Sequence, residues 1–261
     1  MARTTTRTGH TSTIRAASAL GVVAALLVTA TACGGDAADD PHPDHRAFAL
    51  HGRTLTVDSQ DSALEMVPAD VSQVKVTRWF RGNVVIGGNP RVTWAMKDDR
   101  LVLRVKCSGV VASCSAKHRI EVPRGVSVKV ESSDGSVRAQ GFKESLDIRS
   151  RDGSVRVADS TGPLTLASTD GSIHATGVSA RRVHATTRDG SVHLELGAVP
   201  DQVQANTVDG SVTITLPQAS YRVSTQAQDG SVHVSVPRDP GSSHVVDAHT
   251  RDGSITIRTA G

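Results

Sequence analysis

A four-residue motif, Asp-Gly-Ser followed by Val or Ile, recurs seven times in the second half of this 261-residue chain. Successive copies are 18 to 23 residues apart. The copies begin at Asp134, Asp152, Asp170, Asp189, Asp209, Asp229 and Asp252. Self-similarity at such a period indicates a repeat architecture, in which each unit buries its apolar face against its neighbours.

The residues around each motif fall into regular columns. Aliphatic residues dominate the positions six before and three and five after the Asp, small or aliphatic residues lie four before it, and Ser or Thr usually lies two before it. The residues between these columns are mostly polar or charged. Period-two alternation on both sides of the motif predicts two strands per repeat with an Asp-Gly corner between them. Insertions fall only in the other connection, which predicts one fixed and one variable corner.

Two all-β architectures fit this pattern. Asp-Gly between alternating runs is also typical of a hairpin, so an antiparallel β-meander is the alternative. In a parallel β-solenoid, or β-helix, equivalent residues stack directly on one another, which explains why the columns are uniform. Degraded copies at Leu55–Met66 and Val92–Leu103 extend the pattern upstream, and residues 81–86 and 117–122 fit it in part. We therefore predict a parallel solenoid of about eleven coils, with consecutive coils stacked in sequence order.

The first 32 residues have the composition of an export signal. They contain Arg3, Arg7 and Arg15 but no acid, and residues 16–32 are uncharged and apolar or small. We predict a signal peptide over residues 1–32 that ends before Cys33, and the stretch Ala30 to Gly34 resembles a bacterial lipobox. Acylation of Cys33 would hold the chain outside the cytoplasm on the cell membrane. Soluble secretion and an uncleaved anchor are the alternatives.

Composition shifts divide the exported part into three segments. Residues 33–50 are polar and rich in Gly, Pro and charge, which predicts a flexible tether after the lipidated Cys. Residues 51–126 are expected to form irregular coils, and residues 127–261 the regular solenoid. Cys107 and Cys114 lie close together in an exported chain, which favours a disulfide over a reactive thiol pair or a metal site.

These features resemble the bacterial putative-adhesin family of β-strand repeats, which has no established function and is common among actinomycete lipoproteins. The resemblance covers residues 50–261. It depends on the repeated Asp-Gly-Ser-Val units, on the cysteine pair ahead of residues 120–126, and on the lipobox-like start. It implies a β-solenoid and an extracytoplasmic location, but no activity.

The seven corner aspartates form the first candidate site. Asp commonly bonds its own turn backbone, and this structural role is the favoured interpretation. A row of Ca²⁺ ions is the alternative, because hard cations prefer several oxygen ligands. No other metal or cofactor is predicted.

An outward column four residues after each Asp forms the second candidate site. Its basic and imidazole members are Arg138, Arg156, His174, His193 and His233. This face could hold an anionic cell-wall polymer, with a charge that grows as the histidines protonate. It could equally be an ordinary solvent-exposed sheet surface.

The sequence offers little support for catalysis or nucleic-acid binding. Its six aromatic residues are few for an enzyme pocket, and no catalytic constellation is recognisable. The three N-terminal arginines account for the whole net charge of +3, so the rest gives no argument for nucleic acid. We expect a non-enzymatic, adhesin-like envelope module that binds a wall polymer or surface protein. An envelope-stress accessory protein without a ligand is the alternative, and a carbohydrate-active β-helix enzyme is less favoured.

Overall fold

The computed structural model describes residues 40–84, 86–110 and 112–261, and every regular element there is a β-strand. No helix long and apolar enough to cross a bilayer occurs in these residues. Residues 1–32 and Cys33 lie outside them. The strands are β1 (Asp44–Phe48), β2 (Thr54–Gln60), β3 (Ala63–Ala69), β4 (Val74–Val84), β5 (Arg91–Lys97), β6 (Arg100–Lys106), β7 (Ala112–Pro123), β8 (Ser127–Asp134), β9 (Val137–Gln140), β10 (Leu146–Asp152) and β11 (Val155–Ala158). They continue as β12 (Leu164–Asp170), β13 (Ile173–Val178), β14 (Arg182–Asp189), β15 (Val192–Leu196), β16 (Gln202–Asn206), β17 (Val212–Leu216), β18 (Arg222–Asp229), β19 (Val232–Val234), β20 (Val245–Asp252) and β21 (Ile255–Thr259).

The strands form two sheets with one aliphatic core between them. Sheet A has eleven strands in the order β1-β4-β7-β3-β9-β11-β13-β15-β17-β21-β19. Sheet B has ten strands in the order β18-β20-β16-β14-β12-β10-β8-β2-β6-β5. Alternate residues of the repeat strands, mostly Val, Leu, Ile and Ala, are buried and form the core.

The predicted parallel solenoid is confirmed, and the meander is excluded for the repeats. Each repeat contributes one strand to each sheet, and equivalent residues pair in register. Leu146 lies between Val128 and Leu164 in sheet B, and Val155 lies between Val137 and Ile173 in sheet A. Like residues therefore stack in ladders through the core, as the uniform columns predicted.

The Asp-Gly corner requires glycine because neighbouring corners touch. Gly190 has a φ of +151°, and a Cβ built there would lie 2.6 Å from the carbonyl oxygen of Gly171. The buried hydroxyl of Thr207, from the Ser/Thr column, donates to the Gly190 carbonyl at 2.8 Å. Backbone bonds follow the same path, since the Gly190 N–H donates to Asp209 of the next coil. Each corner is thus packed and hydrogen-bonded against the next.

The order of coils departs from the sequence at both ends of the stack. Coil β20/β21, the last in the sequence, lies between coils β16/β17 and β18/β19. Coil β2/β3 likewise lies between β6/β7 and β8/β9. The expectation that consecutive coils always stack directly is therefore wrong for these coils. Both are held by neighbours on two sides.

One end of the solenoid is closed by antiparallel strands. The segment Val92–Leu103, expected to be a coil, is a β5–β6 hairpin within sheet B, because Asp98 and Asp99 both adopt positive φ and reverse the chain. Strand β4 pairs antiparallel with β7, and β1 pairs antiparallel with β4. Residues 44–48 of the predicted tether therefore belong to a sheet.

Aromatic side chains and one buried histidine fill this closed end. The Trp94 ring lies edge-on to Phe48 with centroids 6.3 Å apart, and the Arg78 guanidinium covers it at 4.2 Å. His118 is fully buried beside them and shares a hydrogen bond with Ser62 at 3.2 Å. The expected Cys107–Cys114 disulfide is present at the same end.

Candidate functional site: a cationic row on sheet A

The outward column predicted from the sequence becomes a continuous row across sheet A. Strand pairing places Arg138 beside Arg156, Arg156 beside His174, and His174 beside His193. Neighbouring strands lie about 4.8 Å apart, so four basic or imidazole groups follow one another at that spacing. We call Arg138, Arg156, His174 and His193 the cationic row.

His233 does not adjoin this row. Thr213 and Thr256 separate it from His193, because the inserted strand β21 lies between β17 and β19. Of the five residues predicted for this face, the structure therefore brings four together and leaves His233 on the terminal strand.

Three members of the cationic row, Arg138, Arg156 and His174, line one side of an open groove of about 420 Å³, and His193 lies beyond its end. Gln140, Ala158 and Thr176, two residues further along their strands, line the other side, and Glu65 closes one end. The outward alternation of the strands could have identified these positions. The short side chains at 158 and 176 leave space for a chain-like ligand beside the guanidinium groups.

Glu65 forms ion pairs with two cations of the neighbouring strand β7. Its carboxylate lies 2.9 Å from Lys117 Nζ and 3.2 Å from Arg119 Nη1. The hydrogen bond from Lys117 is the main reason that the pKa of Glu65 is lowered. None of these three residues is predicted from the sequence, since the degraded coils give no hint that β3 lies between β7 and β9.

Arg138 lies opposite Glu65 in the strand register and contributes to the lowered pKa of that carboxyl. Arg156 donates to the Ser154 hydroxyl, and neither Arg138 nor Arg156 forms an ion pair among the described residues. The rings of His174 and His193 lie with centroids 6.1 Å apart. Burial lowers the pKa of His174, and the adjacent Arg156 and His193 lower it further. The groove therefore concentrates positive charge that an anion would neutralise.

The corner aspartates also stack, as a second row. Asp134, Asp152, Asp170 and Asp189 are paired in register, and Asp209, Asp252 and Asp229 continue the line in that order. Asp61, the corner position of the degraded copy Leu55–Met66, lies near the Asp134 end and raises the pKa of Asp134, although burial raises it more.

Arginines clamp these carboxylates in pairs. Arg188 contacts Asp189 at 3.1 Å and Asp170 at 3.5 Å, and Arg251 contacts Asp252 and Asp209 in the same way. Arg151 instead bonds the Ser133 hydroxyl. Over the described part of the chain, no group of three or more His, Cys, Asp or Glu side chains is arranged to hold a metal ion.

A chain of hydrogen bonds that was not predicted from the sequence joins Ser59, Ser62 and His118. Ser59 and Ser62 hydroxyls lie 2.9 Å apart, and Ser62 bonds His118 Nδ1. All three side chains are at most 3% exposed. Burial, with a smaller contribution from Arg78, lowers the pKa of His118 to about 4. A substrate has no access to this cluster, so it stabilises the closed end of the fold.

Residues 124–258 match the family described as Toastrack DUF4097, which covers more than half of the chain. The chain belongs to this family. No curated protein matches this Toastrack member.

Three solved structures resemble this Toastrack chain at low identity. A putative adhesin from Parabacteroides merdae is 12% identical with a TM-score of 0.45, and the alignment covers 85% of this chain and 98% of that one. A putative adhesin from Bacteroides fragilis is 10% identical with a TM-score of 0.40, over 84% and 98% of the chains. A putative cell adhesion protein from Clostridium sporogenes is 13% identical with a TM-score of 0.37, over 84% and 100%.

Proposed function

We propose that this chain is a non-enzymatic, adhesin-like module of the cell envelope that holds an anionic polymer along the cationic row. The observation that carries the proposal is the strand register, which places Arg138, Arg156, His174 and His193 side by side, the first three of them along a groove. Regularly spaced cations fit a polymer with a repeating negative charge, such as a phosphate- or carboxylate-bearing wall polymer.

The groove favours binding over hydrolysis. Most glycoside hydrolases use two carboxylates that flank the scissile bond. Among the described groove residues Glu65 is the one carboxylate, and it is engaged by Lys117 and Arg119. The groove therefore offers positive charge for retention but lacks a pair of catalytic acids.

The predicted leader supports an extracytoplasmic location, with the chain anchored to the cell membrane by a lipid on Cys33. Mass spectrometry of the membrane-extracted protein would test this part. We expect an acylated N-terminal Cys33, and release of the Cys33→Ser protein into the medium. A soluble, unmodified wild-type protein would contradict the anchor.

Binding of defined polymers tests the function itself. We expect polyphosphate or polygalacturonate, but not neutral dextran, to bind the wild-type protein in a salt-dependent way. The Arg138→Ser/Arg156→Ser protein should bind about tenfold more weakly. Arg182→Ser/Arg222→Ser is the matched control, because it removes the same charge from sheet B and should bind as wild type.

Two outcomes would contradict the polymer site. An equal loss of polymer affinity in both double variants would show that binding depends only on the net charge of the protein. No binding of either polymer at pH 5.5 or 7.5 would favour the alternative, an envelope accessory protein without a dedicated ligand.

A further inference from the structure

Two exposed aliphatic side chains lie together beside the closed end of the solenoid. Ile86 is 62% exposed and Val110 is 80% exposed, and the Val110 N–H donates to the Ile86 carbonyl at 2.8 Å. In the described part of the chain only four large hydrophobic side chains are exposed, and these are the two most exposed. Adjacent exposed apolar side chains commonly mark a contact surface.

Strands β4 and β7 carry this pair away from the rest of sheet A. Strand β3 pairs with β7 only from Lys117 onward, whereas β4 pairs with it as far as Val84 and Ala112. The Cys107–Cys114 disulfide links the end of β6 to β7 in this extension. We call residues 82–84, 86–90, 107–110 and 112–114 the tip.

Glycines and the disulfide brace the tip. Gly87 pairs with Gly109, and a Cβ at Gly87 would lie 2.5 Å from the Gly109 Cα. The two backbones can approach this closely only without side chains, so the neighbouring Ile86 and Val110 are presented outward. The tip therefore holds its two aliphatic side chains on a constrained support.

Exposed cations lie at the base of the tip. Residues 71–97 and 100–120 contain ten Lys and Arg but no Asp or Glu. Five of these cations form ion pairs with acids from other segments, namely Arg78, Arg100, Arg104, Lys117 and Arg119. Arg91 and Lys106 lie directly opposite each other where the β5–β6 hairpin meets the tip, and both are exposed. Exposed aliphatic side chains beside exposed cations are an arrangement that binds the interface of an anionic bilayer.

The course of the chain also points to this end of the molecule. The Phe80 N–H donates to the Asp40 carboxylate at 3.3 Å, and β1 runs antiparallel to β4. Residues 40–43 therefore run along β4 in the direction of the tip. The seven residues from Asp40 back to Cys33 span at most about 25 Å.

We propose that the tip contacts an anionic membrane surface, with Ile86 and Val110 entering the headgroup region and Arg91 and Lys106 facing the lipid phosphates. This contact would orient the solenoid on the membrane. The direction of the tether supports it through the proposed anchor at Cys33, but the tip contact itself requires no acylation.

Vesicle flotation of the unacylated chain from Gly34 onward, which contains every described residue, tests the contact. We expect association with vesicles of phosphatidylglycerol and phosphatidylcholine in equal parts, and about tenfold weaker association with pure phosphatidylcholine. Ile86→Asp/Val110→Asp should weaken association about tenfold or more. Val232→Asp is the matched control, since Val232 is also exposed but lies on the terminal coil.

A second pair of variants tests the role of the cations at the base of the tip. Arg91→Ser/Lys106→Ser should weaken association with the anionic vesicles alone, whereas Arg182→Ser/Arg222→Ser should not. Unchanged melting temperatures would show that the surface variants are folded.

Three results would overturn the proposal: no association at any lipid concentration, wild-type association of Ile86→Asp/Val110→Asp, or equal association with neutral vesicles. The tip variants should bind polyphosphate like wild type. Failure of the tip contact is thus distinguishable from failure of the polymer site.

Discussion

Arg251 Nη2 lies 3.2 Å from Asp209 Oδ1, although 42 positions separate the two residues in the chain. The contact exists because coil β20/β21 is inserted next to coil β16/β17. When the coils are taken in their order along the stack, the residue immediately before each corner aspartate alternates between an uncharged residue and an arginine. These residues are Ser133, Arg151, Thr169, Arg188, Val208, Arg251 and Gln228. In sequence order the alternation fails at the last two members, so the inserted coil matches the charge pattern.

Asp209 and Asp252 contact the same arginine, but replacing each by neutral Asn should change the stability of the fold in opposite directions. The hydrogen bond with the Asp252 carboxyl is the main cause that raises the pKa of Asp209, whereas the bond from Arg251 lowers the pKa of Asp252. Ionised Asp209 is therefore unfavourable in the folded state at neutral pH, and ionised Asp252 is favourable. We expect Asp209→Asn to raise the melting temperature at pH 7 and Asp252→Asn to lower it.

The pH dependence of these two variants provides the check. As the pH falls, both carboxyls of the wild-type protein become neutral, so both differences in melting temperature should shrink. Destabilisation by both substitutions at pH 7 would contradict the opposite directions of the two pKa shifts.

Gly210→Ala should be strongly destabilising. Its φ is +151°, and its Cα faces the carbonyl of Gly190 in the neighbouring coil. We expect a loss of about 3 kcal/mol in the free energy of unfolding, measured by urea denaturation. Gly125→Ala is the control, because Gly125 has a φ of +78° but no atom within 4 Å of the point that an added Cβ would occupy. Gly125→Ala should lower the free energy of unfolding by about 1 kcal/mol. Equal losses in the two variants would contradict the steric crowding inferred at the Asp-Gly corner.

His118 should make the fold sensitive to mild acid. Burial, aided by Arg78, lowers the pKa of His118 to about 4, below its ordinary value of 6.5. Between these values the unfolded chain binds a proton that the folded chain does not, so stability falls as pH falls. The contribution amounts to about 3 kcal/mol. The free energy of unfolding of His118→Asn, measured from pH 8 to pH 4, should decline less than that of wild type.

The histidines of the cationic row should make polymer binding depend on pH. A bound polyanion favours the protonated imidazolium, so affinity for polyphosphate should rise as pH falls from 7.5 to 5. We expect His174→Gln/His193→Gln to lose most of this rise, as measured by titration calorimetry. His184→Gln/His249→Gln on sheet B is the control and should keep it. A rise that persists in the first variant and is lost in the control would place the titrating groups elsewhere.

Reduction of the Cys107–Cys114 disulfide should loosen the tip more than the solenoid. In the loop-entropy treatment, a bridge that closes so short a loop contributes about 2 kcal/mol. We expect the Cys107→Ser/Cys114→Ser protein to melt at a lower temperature and to associate more weakly with anionic vesicles. Binding of polyphosphate by the same protein should not change, since the cationic row lies on other strands.

The repeat predicted the regular part of the fold well. The residues of the Asp134 to Asp209 units that were expected to face inward are buried, because each column contains one class of side chain that is repeated along the stack. A solenoid needs only this local pattern, since every coil meets a near copy of itself.

The order of the end coils could not be predicted from the columns. Val203, Val223 and Val246 occupy the same column, so any of the three coils fits against any other. The β5–β6 hairpin was misread for a related reason, since alternating strands on either side of an Asp are common to a coil corner and a two-residue turn. The distinguishing property was the backbone conformation of Asp98 and Asp99.

The sequence predicted the members of the cationic row but not the other residues around the groove. The outward column gave the four members of the cationic row, because strand alternation fixes which residues face solvent. Glu65 and its partner Lys117 come from coils far apart in the sequence, and their meeting depends on the order of coils at the closed end. The tip was missed since nothing in its sequence shows that β4 and β7 extend beyond their neighbours.

The inserted first and last coils bear on how such a molecule changes length during evolution. Duplication within residues 127–216 would add one layer between two layers that already stack in sequence order, whereas a unit duplicated at either extremity of the gene would enter a part of the stack whose order departs from the sequence. Relatives should therefore differ mainly in the number of central units, and the distance between the tip and the opposite pole of the rod would grow or shrink in steps of one strand spacing.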